Sequence, residues 1–214
     1  MPNVVIILSL CFFCISCFAS DVRVKVVSKD GENLANAVVY LTPKQSVSPN
    51  SNTKMAIMDQ VNTQFFPHIL AVQKGTQVRF PNSDSIKHHV YSFSPAKVFE
   101  LQLYKGLQAD PLLFSKNGAV ELGCNVHDWM LGYIFVVDTP YFTKTNANGE
   151  ALISVSKGDY VLQVWHPRIQ DDYEILASQI VVDQDMDKII NLPSKLLPNL
   201  NQFEAEVDEF SEYE

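Results

Sequence analysis

Apolar and polar residues alternate along much of this chain. "DVRVKVVS" (21–28) sends Val22, Val24 and Val26 to one side and Asp21, Arg23 and Lys25 to the other. A period of two is that of a half-buried strand. The segments "ANAVVYLTP", "GTQVRFPNSD", "HHVYSFS", "GAVELGCNV", "LGYIFVVDT", "EALISVS" and "DYVLQVWHP" carry β-branched or aromatic residues between Gly, Pro, Asn and Asp. No segment sustains a helical period. Short strands punctuated this often predict an all-β fold built from sandwiches.

The two ends and one middle stretch break the pattern. "VVIILSLCFFCISCFA" is apolar and ends in small residues near Ala19 and Ser20, so residues 1–20 read as an export signal and the mature chain as periplasmic or otherwise exported. A retained membrane anchor is the alternative, and Cys17, preceded by Ser16, is a minor candidate for lipid attachment. "QSVSPNSNTK" (45–54) is polar and turn-rich, as expected of a domain boundary. Residues 196–214 form an acidic end that reads as a disordered tail. The net charge is −8 and no basic cluster exists, which argues against nucleic acid or anionic lipid as the main partner. An acidic chain suits a basic protein partner, or solubility alone.

Cysteine use changes the picture. Of four cysteines, Cys11, Cys14 and Cys17 lie in the expected signal, so the mature chain keeps only Cys124. One thiol forms no internal disulfide, and a free thiol in an oxidising compartment is either buried or committed to chemistry. "LGCNVHDWMLGY" (122–133) surrounds it with His127 and Met130, each three residues on. Thiolate, imidazole and thioether are ligands that suit copper. A second imidazole is available from His88 or His89 in "FPNSDSIKHHVYSF" (80–93), and strand alternation sends these two to opposite faces. Zinc on His88, His89, Cys124 and His127 is an alternative that leaves Met130 without a role. So is a metal-free sandwich with Cys124 and Met130 in its core. A thiol nucleophile with His127 as base is the weakest reading. Trp129 is either part of an apolar face beside His127 or ordinary loop packing; His68 and His166 read as structural.

Two resemblances organise these residues. Phe80, Asn82, His88 and Val90, followed by the Cys124, His127 and Met130 loop, resemble the ligand segments of amicyanin-type cupredoxins. "HILAVQKGTQVRFPN" and the strands on either side of the loop resemble the same fold, over about 80 residues in all, a small domain in length. The resemblance implies one copper ion on His88, Cys124 and His127, with Met130 as axial ligand and His89 as the alternative to His88. His89 stands where the family carries asparagine. "VRVKVVSKDGENLANAVVYLTP" and "TKTNANGEALISVSKGDYVLQVWHP" resemble the two halves of a carboxypeptidase-regulatory-like (transthyretin-like) module. The expected layout is that module, residues 21–49 plus 139–195, split around a copper domain at 50–138. The whole chain is similar to proteins labelled for methylamine utilisation.

Four protein ligands leave no open position for substrate, which favours one-electron transfer over bond-making catalysis. No phosphate loop or serine elbow is present. The expectation is an exported type 1 copper protein that carries electrons between periplasmic partners, and not an enzyme. A copper-delivery protein and a metal-free interaction module are the alternatives.

Overall fold

The computed structural model describes residues 19–45, 55–107, 110–173 and 175–199. Most of the expected signal, much of the expected boundary and nearly all of the acidic tail lie outside the described residues.

Among the described residues all regular structure is strand. The first nine strands are β1 (Ala19–Val27), β2 (Val38–Pro43), β3 (Ala56–Ile57), β4 (Asp59–Val61), β5 (Gln64–Phe66), β6 (Ile69–Gln73), β7 (Thr76–Arg79), β8 (His88–Ser92) and β9 (Phe99–Tyr104). Then come β10 (Leu112–Phe114), β11 (Gly118–Gly123), β12 (Leu131–Val137), β13 (Phe142–Lys144), β14 (Glu150–Ser156), β15 (Gly158–Trp165), β16 (Ser178–Val182) and β17 (Met186–Asn191). The protein is all-β, as its alternation predicts. β1 starts at Ala19, within the segment read as signal, and pairs Ala19 with Ser156 and Ser20 with Val155.

Two sheets, in the orders β14-β1-β17 and β13-β2-β15-β16, share one core. Alternation builds it directly: Val22, Val24 and Val26 of β1 meet Ala151, Ile153 and Val155 of β14, and Leu162 and Val164 of β15. A five-stranded sheet, β6-β12-β11-β8-β9, and a smaller one, β10-β7-β3, share a second core with the β4-β5 hairpin. Phe65, Phe80, Phe114, Leu122 and Ile134 fill it. The first core draws on residues before and after the segment that builds the second.

β12 joins the two cores. Its Ile134 and Val136 face the second core, whereas Phe135 and Val137 belong to a third cluster with Val38, Tyr40 and Ile69. There Trp165 stacks on Phe135, ring centroids 4.4 Å apart and planes 10° apart. Burial on both faces explains why "IFVV" is continuously apolar where other strands alternate. Lys144 Nζ donates to the Ile69 carbonyl at 2.8 Å and adds a polar tie across the same seam.

Candidate metal centre

Three elements carry the candidate ligands. β11 ends at Gly123 and β12 begins at Leu131, so residues 124–130 form the short loop between two paired strands. Cys124 opens that loop and is buried; Met130 closes it and is buried in the second core. The Met130 N–H donates to the His127 carbonyl at 3.0 Å, and the Val126 N–H donates to Cys124 Sγ at 3.4 Å. These bonds turn the loop tightly and aim a backbone dipole at the sulfur.

β8 supplies the remaining imidazole. The β8-β9 pairing slips between His88 and Val90, so three residue steps on β9 span two on β8. A bulge of this kind re-aims side chains. His88 and His89 are both buried, and their imidazoles meet different partners. His88 Nε2 sits 2.7 Å from Asp84 Oδ2, and His89 Nε2 sits 2.8 Å from Glu100 Oε1.

One ligand atom from each of His88, Cys124 and His127 lies within 4.8 Å of the other two. That span is comparable to twice a metal–ligand bond of about 2.0–2.3 Å. The His88 and His127 rings meet edge to face with centroids 4.9 Å apart. His89 is not in this group, so a four-residue set that includes it is not assembled. Trp129 is 55% exposed, its ring centroid is 5.2 Å from that of His127, and its indole N–H donates to Thr63 Oγ1 at 3.4 Å. His68 and His166 lie elsewhere: His68 packs its ring edge against Tyr133, and His166 Nδ1 accepts the Arg168 N–H.

The donor set fits a soft first-row ion. Nδ1 of His88 and Nδ1 of His127 are buried and have no hydrogen-bond partner. A buried polar nitrogen without a partner costs about 1–3 kcal/mol, and natural folds rarely leave one without a purpose. Asp84 is held below the usual carboxylate range. Burial pushes it up, but the Thr63 N–H, His88 and the Asn62 N–H together outweigh burial. The carboxylate is therefore ionised at neutral pH, so the proton between the pair sits on His88 Nε2, and in the neutral ring Nδ1 is the nitrogen that carries the lone pair. His127 is pushed below the ordinary histidine range by burial and by His88, against the opposing pull of Asp84. That favours a neutral, lone-pair-bearing His127 ring, the form a metal needs.

The sequence marked Asn82 but not its part in the framework around these residues, and it did not mark Asp84 or the Asn62-Thr63 turn. Asn82 Nδ2 donates to the carbonyls of Ile86 and Tyr104 at 2.9 Å, while its Oδ1 accepts the Asp84 N–H at 3.0 Å. That pins the loop leading to His88. The β4-β5 hairpin turns at Asn62 and Thr63, both at positive φ (52° and 55°). Such a two-residue turn ordinarily calls for Asn or Gly, and a β-branched Thr there is unusual. Asp84 compensates by accepting both turn N–H groups, at 2.7 and 2.9 Å. Phe65 of the hairpin then lies across Gly132 of β12, where a Cβ would approach Phe65 Cβ to 2.6 Å.

No family model matches this sequence, and no curated protein matches it. Solved structures do resemble part of it. A copper-containing nitrite reductase from Thermus scotoductus is 20% identical over 46% of this chain, with a TM-score of 0.38; the chain spans 26% of that protein. A purple cupredoxin from Nitrosopumilus maritimus is 22% identical over 38% of this chain and 99% of its own length, with a TM-score of 0.34. An amicyanin variant in its reduced Cu(I) form is 19% identical over 46% of this chain and 99% of its own length, with a TM-score of 0.36. The likeness to cupredoxins covers about half the chain. The chemistry of the site follows from its own residues.

Proposed function

We propose that this protein is a type 1 copper protein that carries single electrons. The observation that supports the reading is the grouping of His88, Cys124 and His127 with two buried, unpartnered imidazole nitrogens. His88, Cys124 and His127 would hold the ion, and Met130 is the thioether that the loop offers as a fourth ligand. Copper bound there would supply one-electron redox chemistry, tuned by the axial group and by hydrogen bonds at the sulfur. The chain's own part is to hold the donors aligned, to exclude water at His88 and Cys124, and to leave His127 partly exposed as the route for electrons. An exported location and a protein redox partner belong to the same proposal.

Absorption and electron spin-resonance spectra of the copper-loaded chain test it. An intense visible thiolate-to-copper band with a narrow hyperfine splitting is the expected result. Colourless Cu(I) capture with rapid exchange would favour copper delivery, and no uptake would overturn the metal reading.

A further inference from the structure

Asp84 sits outside the group of candidate ligands yet touches it at a decisive atom. Its side chain is only 13% exposed. Oδ2 meets His88 Nε2 at 2.7 Å and accepts the Thr63 N–H at 2.9 Å, while Oδ1 accepts the Asn62 N–H at 2.7 Å. Thr63 in turn accepts the indole N–H of Trp129, the residue two beyond His127. One carboxylate thus links β8, the β4-β5 turn and the 124–130 loop. His89 has a carboxylate as well, but Glu100 is 56% exposed in its side chain, and its Oε1 also accepts the exposed Gln102 side-chain amide at 2.9 Å.

We infer that Asp84 is the positioning residue of the site: it holds His88 in the tautomer that frees Nδ1 and supplies a fixed negative charge that favours the more highly charged state of a bound ion. The inference rests on the copper reading for its second half only. A carboxylate behind a ligand imidazole makes the ring more basic and fixes its orientation. Cu(II) gains more from that charge than Cu(I) does. Asp84 therefore lowers the reduction potential, and Glu100, at a histidine outside the group, does not act in this way.

The test has a metal-free arm and a loaded arm. Nitrogen-15 NMR of the metal-free, wild-type chain reads the His88 tautomer directly. A proton on Nε2 is expected, and a proton on Nδ1 would overturn the inference whether or not any variant folds. In the loaded arm, Asp84→Asn is compared with Glu100→Gln by competitive titration of Cu(II) and Cu(I). Asp84→Asn is expected to weaken Cu(II) binding about 10- to 100-fold, the usual loss for an outer partner of a ligand. The Cu(I) loss is expected to be smaller. Each tenfold excess loss on the Cu(II) side raises the midpoint potential by about 59 mV. Equal losses in both oxidation states, or an equal shift in Glu100→Gln, would overturn the electrostatic role. A wild-type chain that binds no copper refutes the proposed function instead and leaves the tautomer result to decide the role of Asp84.

Discussion

The core beneath β1, β2, β14 and β15 and the core beneath the site-bearing sheets are both built by strand alternation, yet they treat polar groups differently. In the first, buried polar side chains are paired. Thr145 Oγ1 accepts the Ala37 N–H and donates to the Leu34 carbonyl, and Thr139 Oγ1 donates to the Leu41 carbonyl and accepts the Tyr141 N–H. In the second, Gln60 Oε1, Arg79 Nε and the Nδ1 atoms of His88, His89 and His127 have no partner. Among the described residues, every such orphan lies between positions 60 and 127. A fold selected for stability alone would pair these groups or replace them with apolar ones. Two of the five orphans belong to the candidate metal group, and among the described residues none lies in the first unit.

The largest expected effect that breaks this contrast is at the sulfur. Cys124→Ser should abolish the visible band and copper retention; a variant that holds copper as tightly as the parent refutes the ligand assignment. Next comes the first unit. Leu41 is fully buried in the first core, so Leu41→Ala should cost about 2–5 kcal/mol in denaturant unfolding. The absorption maximum of the loaded protein should stay where it is, because no site residue packs there. A moved maximum would show that the two units are not separable.

Acid should act on the first unit as well. His166 is pushed down to about 3 by burial, by Arg168 and by His68. The folded chain therefore keeps His166 neutral while the unfolded chain takes up a proton below about 6.5. The unfolded state then binds more protons, so this contribution to stability is complete above about pH 6.5 and shrinks as pH falls towards 3. Where the difference is one full proton, the slope approaches about 1.4 kcal/mol per pH unit. Replacing the imidazole in His166→Asn should flatten the stability profile between pH 6 and 4; an unchanged slope would assign acid sensitivity to other groups. The smallest effect is at the seam. Trp165→Leu removes the stack on Phe135 and should cost about 0.5–1.5 kcal/mol beyond lost area. A larger loss, with the copper spectrum altered, would show that the seam also tensions β12 and the ligand loop.

Much of the fold was legible from alternation. β1, β14 and β15 stand where period-two patterns and their turns put them, because one face of each meets a core and the other meets water. β3, β4, β5 and β10 were not legible. They are two or three residues long, too short to show a period; β3 and β10 pair with β7, well separated along the chain, and β4 and β5 pair with each other across a turn. The Asn62-Thr63 turn lacks the glycine that usually betrays a hairpin. Its stability comes from Asp84, 21 and 22 residues away. The role of Asp84 was hidden for the same reason: an aspartate four residues before a histidine is ordinary until the fold sets it against both the imidazole and the distant turn.

By itself the sequence determined an all-β chain and a soft-ligand loop, since side-chain period and residue chemistry are local properties. Spacing alone put sulfur and imidazole within one turn of chain between Cys124 and His127. Which of His88 and His89 joins them was decided by tertiary structure, as was the carboxylate that orients the chosen ring. Those outcomes depend on how distant segments are brought together and hydrogen-bonded, and that is not written in the order of neighbouring residues.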